Sequence, residues 1–523
     1  MSSETLKIFL AMAAYMLVVI GIGLFFAKRA QANSENYFLG GRSLGPWVAA
    51  MSAEASDMSG WLLMGLPGVA YWGGISDAMW TALGLAIGTY INWLIVARRL
   101  RRYSAVSGDA ITVPDFLSNR FHEKNKVILG ISALFILVFF TVYAASCFVT
   151  CGKLFSTLFG FSYHSMMIAG AVFVVVYTFI GGFLAESASD FMQAVVMVIA
   201  LITILVLGTI SAGGVGAVID NARAIPGFFS PTAIATPVVD ANGVQQAADG
   251  VPLFGEAGSY GFLTIISTLS WGLGYFGVPQ VLLRFMAIRK EEQLKQSRRI
   301  ATVWCVISLF AAVCIGLIGR ALFPTEASLA TSSGAENVFV VLSQALLSPV
   351  LAGVIMAGIL AATISSSDSY LLIAASAFSK NIYEGIMKKN QADDKVVMRV
   401  SRIVLLLIAL IGIVIAWDED SVIFSIVSFA WAGFGATFGP VMLFSLFWKR
   451  INRAGAIAGM LSGGIMVFVW NLLLSPLGGI FSIYELFPAF IISCIVIVAV
   501  SLATKAPSRE ITQEFERVAS GGK

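Results

Sequence analysis

The sequence predicts an all-α polytopic membrane protein of about thirteen transmembrane helices, one of them broken near mid-membrane. Three observations predict it. The composition is apolar: 58% of the 523 residues are hydrophobic, 12% are charged and the mean hydropathy is +0.88, which excludes an ordinary soluble domain. Apolar runs of roughly the ~20 residues that cross a hydrocarbon core recur along the chain. Basic residues gather on alternate connections between those runs, as the positive-inside rule requires.

The runs fall near 6–27, 47–69, 76–97, 127–151, 163–182, 186–208, 259–279, 300–323, 350–377, 400–417, 421–447, 454–475 and 483–503. The first is too long for a signal-peptide core and lacks a small-residue cleavage site, so it is expected to be a retained span. With the N-terminus outside, 29 of the 33 Lys and Arg fall on inner connections, the stretch Arg284–Arg299 among them. Only Lys7, Lys153, Arg223 and Arg320 lie elsewhere. The expected placement is therefore the cell inner (plasma) membrane, multi-pass, with the N-terminus outside and the C-terminus cytoplasmic. The outer connection 209–258 is expected to hold a short helix at Val215–Ala224 and then an irregular loop. The tail 504–523 is expected to be an exposed or frayed helix. No polar stretch suffices for a second folded domain. The five cysteines sit in apolar segments and predict no structural disulfide.

The chemistry concentrates in four stretches. The first, Ala55-Ser56-Asp57-Met58-Ser59-Gly60-Trp61, interrupts the 47–69 run. Asp57 stands ten residues into that run, about 15 Å deep at 1.5 Å per residue. An intramembrane carboxylate is a functional candidate by default. Gly60, Gly65, Pro67 and Gly68 weaken the helix beyond it, and unwinding frees the carbonyls of Ala55 and Met58 to face a cation. The second stretch is Ala361–Ser369, in which Ser365, Asp368 and Ser369 share one helical face. Hard oxygen donors without His or Cys suit Na+. The third, Gly181–Asp190, places Asp190 at nearly the depth of Ser365, while Glu186 fits an interfacial helix cap. The fourth, Ser270–Gln280, sets Trp271, Tyr275 and Phe276 among three glycines, suiting the wall of a compact, partly apolar solute. There is no P-loop, no G-x-S-x-G and no paired Cys/His set, so neither an enzyme nor a cofactor other than a coupling ion is expected. His122 and His164 are expected at the surface, and no nucleic-acid patch or obligatory protein partner is evident.

Several strings together resemble the sodium:solute symporter family, in its proline branch more than its sugar and sialate branches. They are Tyr37-Phe38-Leu39-Gly40-Gly41-Arg42-Ser43-Leu44-Gly45-Pro46, Ala55–Pro67, Phe140–Tyr143, Tyr177–Ala185, Trp271–Gly277, Arg284–Ala287 and Ala430–Pro440. The resemblance implies a core of two inverted five-helix repeats, here 47–208 and 259–447, with two accessory helices in 448–503 and a cytoplasmic tail at 504–523. It implies a sodium site from the backbone of Ala55, Met58 and Ala362 with the hydroxyls of Ser365 and Ser366. Asp57 is implied as essential to coupling, with contact to the ion left open, and Arg42 as important on the cytoplasmic side. Ser59, Gly60, Trp61, Tyr143 and Trp271 are implied to face the solute, where Tyr275, Phe276 and Gln280 join them. Glu54, Glu186 and Asp368 depart from the family pattern, which has glycine, an apolar residue and a small residue there. A second cation or proton site at Asp190, Asp368 and Ser369 is the corresponding expectation. The expected function is sodium-coupled uptake of L-proline across the lipid bilayer by alternating access, or of another small amino acid, betaine or a monocarboxylate. A sensor would need a signalling domain after residue 503, and a channel would pass current without solute.

Overall fold

In a bilayer every backbone N–H and C=O must find its partner within the protein, and helices achieve that locally. The computed structural model, which describes residues 2–30, 39, 42–389 and 391–521, is accordingly a helical bundle. Tyr37, Phe38, Gly40 and Gly41 of the first family-like string lie outside the described residues. Among the described residues, ten helices are long and apolar enough to cross a membrane, and the bent pair Phe262–Phe276 and Pro279–Ala287 makes an eleventh. The expected thirteen is not reached by that measure. The other two expected crossings fall on Pro46–Gly73, which is interrupted, and on the shorter apolar helix Tyr163–Phe179.

Local sequence sets many of the boundaries. Pro46, Pro279 and Pro349 stand in first turns, where a missing N–H removes no intrahelical bond. Asp393 and Asn452 accept from the amides of Lys395 and Gly455, each at 2.8 Å, and cap two helix starts. Gly160, at φ 68°, ends Val127–Phe159 in a left-handed turn. The short helix expected at Val215–Ala224 is present with those bounds.

Two expectations are corrected here. The backbone is helical from Tyr163 to Ser211 without the expected connection at 183–185. Yet the Tyr177 and Ser189 hydroxyls lie 2.7 Å apart, whereas twelve residues of straight helix would separate them by about 18 Å. The element therefore folds back sharply between them, so its two halves are joined by a bend instead of a loop. The tail is also not frayed. Arg509–Ala519 is an amphipathic helix with Ile511, Phe515 and Val518 buried, and Phe515 lies under the guanidinium groups of Arg99 and Arg120 at 5.2 and 5.5 Å.

Pro349–Met387 forms the centre of the bundle. Its most apolar stretch is 83% buried, against 17% for Ser3–Ile22. It packs on Ser3–Ala30, Val127–Phe159 and Tyr163–Ser211. Small residues bring backbones close: a Cβ on Gly353 would meet the Ile8 carbonyl at 2.7 Å. This central helix carries Ser365 to Ser369 and lies against Pro46–Asp57.

Candidate functional site

The break in Pro46–Gly73 is short and specific. Pro46–Asp57 is α-helical, Met58 and Ser59 leave the helix, and a π-turn at Trp61–Gly65 precedes the α-helix Leu66–Gly73. Met58 has φ −84° and ψ 74°, and the Ser59 amide donates to the Asp57 carbonyl at 3.1 Å, which is an inverse γ-turn. In an unbroken helix that amide would have donated to Ala55. The Ala55 carbonyl is thus released, and it accepts instead from the hydroxyls of Ser365 at 2.8 Å and Ser366 at 3.2 Å. Ser365 also reaches the Ala362 carbonyl at 3.1 Å. Ala55, Ala362, Ser365 and Ser366 are therefore brought together as expected, with Met58 at the centre of the adjoining turn. All are buried.

Asp57 faces elsewhere. Its Oδ2 accepts from the Tyr275 hydroxyl at 2.7 Å, and its Oδ1 is buried without a hydrogen-bond partner. Its carbonyl accepts from Trp61 Nε1 and from the Tyr143 hydroxyl, both at 3.3 Å. Tyr275 lies just before the second break, where a 3-10 segment, Ser270–Phe276, gives way at Gly277 and Val278 to Pro279–Ala287, bent by 41°. Gly272, Gly274, Gly277 and Pro279 are the sequence signal for this break, in a stretch expected only to form a solute wall.

That wall is aromatic and closed. Trp61 and Trp271 have ring centroids 6.0 Å apart, and Trp271 also stacks on Tyr484 at 5.1 Å and Trp431 at 6.1 Å. Trp431 Nε1 donates to the Trp271 carbonyl at 2.8 Å, and Tyr143 stacks on Tyr370 at 4.2 Å. Ser59 and Gly60 lie at the break; a Cβ on Gly60 would come within 2.5 Å of Thr150. Phe276 is buried, as is Gln280, both of whose amide atoms are unpartnered. Tyr370, Trp431 and Tyr484 were not foreseen, since isolated aromatics in apolar runs carry no local mark.

A second polar cluster surrounds Arg284. Expected among the cytoplasmic loop charges, this arginine is instead fully buried on Pro279–Ala287. It pairs with Glu186, which is therefore a buried ion-pair partner and not an interfacial cap, and lies 3.3 Å from Asp190 Oδ2. It also donates to Ser52 at 3.0 Å and to Ser369 at 2.9 Å. Ser52 donates to Asp190 at 2.7 Å, and Ser369 to Glu186. Asp368 stands beside the cluster with Oδ1 accepting from the Ser369 amide at 2.8 Å and Oδ2 unpartnered. Glu54 is buried next to the break, with Oε2 unpartnered.

Arg42 lies apart from both clusters. It bonds the carbonyls of Met286 and Ala110, each at 2.7 Å, and Asp109 Oδ1 at 3.0 Å. It thus fastens the lead-in of the first broken helix to the end of the second.

The sodium:solute symporter family model matches residues 37–463. A sodium/proline symporter of Staphylococcus aureus (strain USA300 / TCH1516) is 41% identical over 515 residues, covering 98% of this chain and 95% of the relative. Among solved structures, a Na+-coupled sialic acid symporter in a substrate-bound outward-open state matches at 17% identity with a TM-score of 0.74, over 96% of this chain and 99% of that one. Mhp1, a nucleobase-cation-symport-1 family transporter in a closed conformation, matches at 14% identity with a TM-score of 0.54, over 93% and 99%. At those identities the structures speak for the fold alone, that of a helical membrane transporter.

Proposed function

Because the chain belongs to the sodium:solute symporter family, we propose that it moves L-proline into the cell together with Na+ by alternating access. Membership makes it a sodium-coupled symporter of the cell membrane and a transporter, not an enzyme. Proline is the finer step. It is supported by the sodium/proline relative at 41% identity and by a compact aromatic wall beside the broken helix.

The observation that carries the reading is the meeting of Ser365 and Ser366 with the released Ala55 carbonyl. With Na+ present, the two hydroxyls turn their protons away and offer lone pairs, joined by the carbonyls of Ala55, Met58 and Ala362. All are hard oxygen donors. The ion then ties the broken helix to the central helix. Asp57 holds the break through Tyr275, with its free oxygen available near the ion or the solute. Proline sets its charged ends at the Ser59–Gly60 break and its ring against Trp271, Trp61 and Tyr143, while Tyr275, Phe276 and Gln280 complete the wall. Each Na+ entering down a membrane potential contributes about 2.3 kcal/mol per 100 mV.

The repeat division 47–208 and 259–447 belongs to the same proposal, supported by the interrupted helix that begins each half. So does the placement of the N-terminus outside and the C-terminus inside. The test is uptake into proteoliposomes under an imposed Na+ gradient with a panel of labelled solutes. Proline uptake that collapses without the gradient is expected. Preference for betaine, another amino acid or a monocarboxylate over proline would overturn the proline assignment and leave the symport mechanism standing.

A further inference from the structure

The end of the bundle that carries the tail helix holds a cavity of about 370 Å³, far in sequence from the residues of the transport site. Leu94, Ile95, Arg98, Arg99 and Arg102 line one side, and residues 518–521 of the tail line the other. The positive-inside rule accounts for basic residues at the end of a span. It does not account for their lining a cavity, nor for how they are paired. Arg98 and Arg102 share one carboxylate, Glu291, which lies 2.6 Å from Arg102 Nη2. Arg99 pairs with no carboxylate among the described residues. Its guanidinium lies over the rings of Phe447 and Phe515 at 4.9 and 5.2 Å, and its buried Nε has no hydrogen-bond partner. Of the carboxylates on the tail helix, Glu510 and Glu514 lie at His122 and Glu516 at Lys449. Arg102 also donates to the Val518 carbonyl at 3.2 Å, a neutral acceptor. Three guanidinium groups, which stay charged at any pH at which the protein folds, thus line the cavity with one carboxylate between them.

The remaining wall is apolar. Leu94 and Ile95 are exposed side chains on the span Ile75–Val106, about one turn before Arg98 and Arg99. Exposed apolar side chains of a spanning helix meet acyl chains, and the basic residues that follow them lie at the level of the headgroups. The cavity therefore offers an excess of positive charge with hydrocarbon surface directly beside it. A lipid that bears a net negative charge at its phosphate matches both features. A zwitterionic lipid does not balance the charge, and a free phosphate leaves the apolar wall uncovered.

We propose that this cavity binds an anionic phospholipid, its phosphate held by Arg98, Arg99 and Arg102 and its acyl chain laid against Leu94 and Ile95. The test uses the purified full chain in detergent, with fluorescently labelled phosphatidylglycerol as the probe. Saturable binding is expected, displaced by unlabelled phosphatidylglycerol but not by phosphatidylcholine or by inorganic phosphate. Each arginine replaced should weaken it about fivefold, so that Arg98→Gln with Arg99→Gln loses roughly twenty-fivefold. Lys395→Gln with Arg399→Gln removes as much charge from exposed positions outside the cavity, and should leave binding unchanged. Should the Arg98 and Arg99 pair fail to fold, Arg98→Gln alone carries the test, because that side chain is 70% exposed. Equal weakening by the Lys395 and Arg399 pair would mean diffuse attraction and sink the proposal. So would displacement by inorganic phosphate, which would make this a free-anion site, or binding that the cavity variants leave intact. The readout is lipid binding and not uptake, so its outcome is independent of which solute and which ion the protein moves.

Discussion

At the scale of the residue, the sharpest distinction is between Asp57 and the oxygens around Ala55. Both were legible as polar interruptions of apolar runs, because a carboxylate or a cluster of hydroxyls is conspicuous in a segment of lipid-crossing length. Which of them faces the other was not legible. The Asp57 carboxylate takes the Tyr275 hydroxyl, while Ser365 and Ser366 take the Ala55 carbonyl. Asp57→Ala removes the anchor of the break and leaves Tyr275 without its acceptor. The expected result is a tenfold or larger fall in apparent Na+ affinity, or no transport, in uptake titrated with Na+ (a hydrogen bond to a charged group being worth about 1.5–3 kcal/mol). Tyr275→Phe deletes only the donor and should give the milder loss of the two. Intact Na+ dependence in Asp57→Ala would falsify the role given to this residue. The burial of Arg284 was not legible for a physical reason: near the inner end of a span, a basic side chain ordinarily reaches water, and no local pattern marks the one that turns inward.

At the scale of the element, the two breaks do the positioning, and a third contact governs how a helix starts. Glu336 accepts from the amides of Ile423 at 2.9 Å and Phe424 at 3.0 Å, capping Ile423–Phe447, and pairs with Lys153 at 2.7 Å. Lys153 and Glu336 are both buried. The pair fastens Val127–Phe159 to the start of that helix and to Ser333. Removing one partner leaves a buried charge uncompensated. Lys153→Met should therefore destabilise the protein by about 3–5 kcal/mol, seen as a lowered unfolding temperature in detergent. Combined with Glu336→Gln, the further loss should be less than the sum of the two single losses, because they share one interaction. Helix starts marked by Pro, Asp or Asn could be read from the sequence, since those signals act within one turn. This cap could not, because Glu336 lies 87 residues from the amide it satisfies.

At the scale of the whole molecule, the orientation remains a prediction with a direct check. Ser2 and Ser520 are exposed near opposite ends of the chain. In intact cells, Ser2→Cys should react with a membrane-impermeant thiol reagent, and Ser520→Cys should react only after permeabilisation. Labelling of both from outside would contradict an odd number of crossings. By itself, the sequence determined the helical membrane class, the position of most crossings and the first break. Those follow from apolarity, helix-breaking residues and charge asymmetry, all of which act over one span or less. Only the tertiary structure decided which polar groups satisfy one another. It set Tyr275 on Asp57 across 218 residues, Arg284 on Glu186 across 98, and Ser365 on Ala55 across 310. In a bundle without water, a buried charge must find its partner among whichever helices pack beside it. That choice belongs to the packing of the whole chain and to no segment of it.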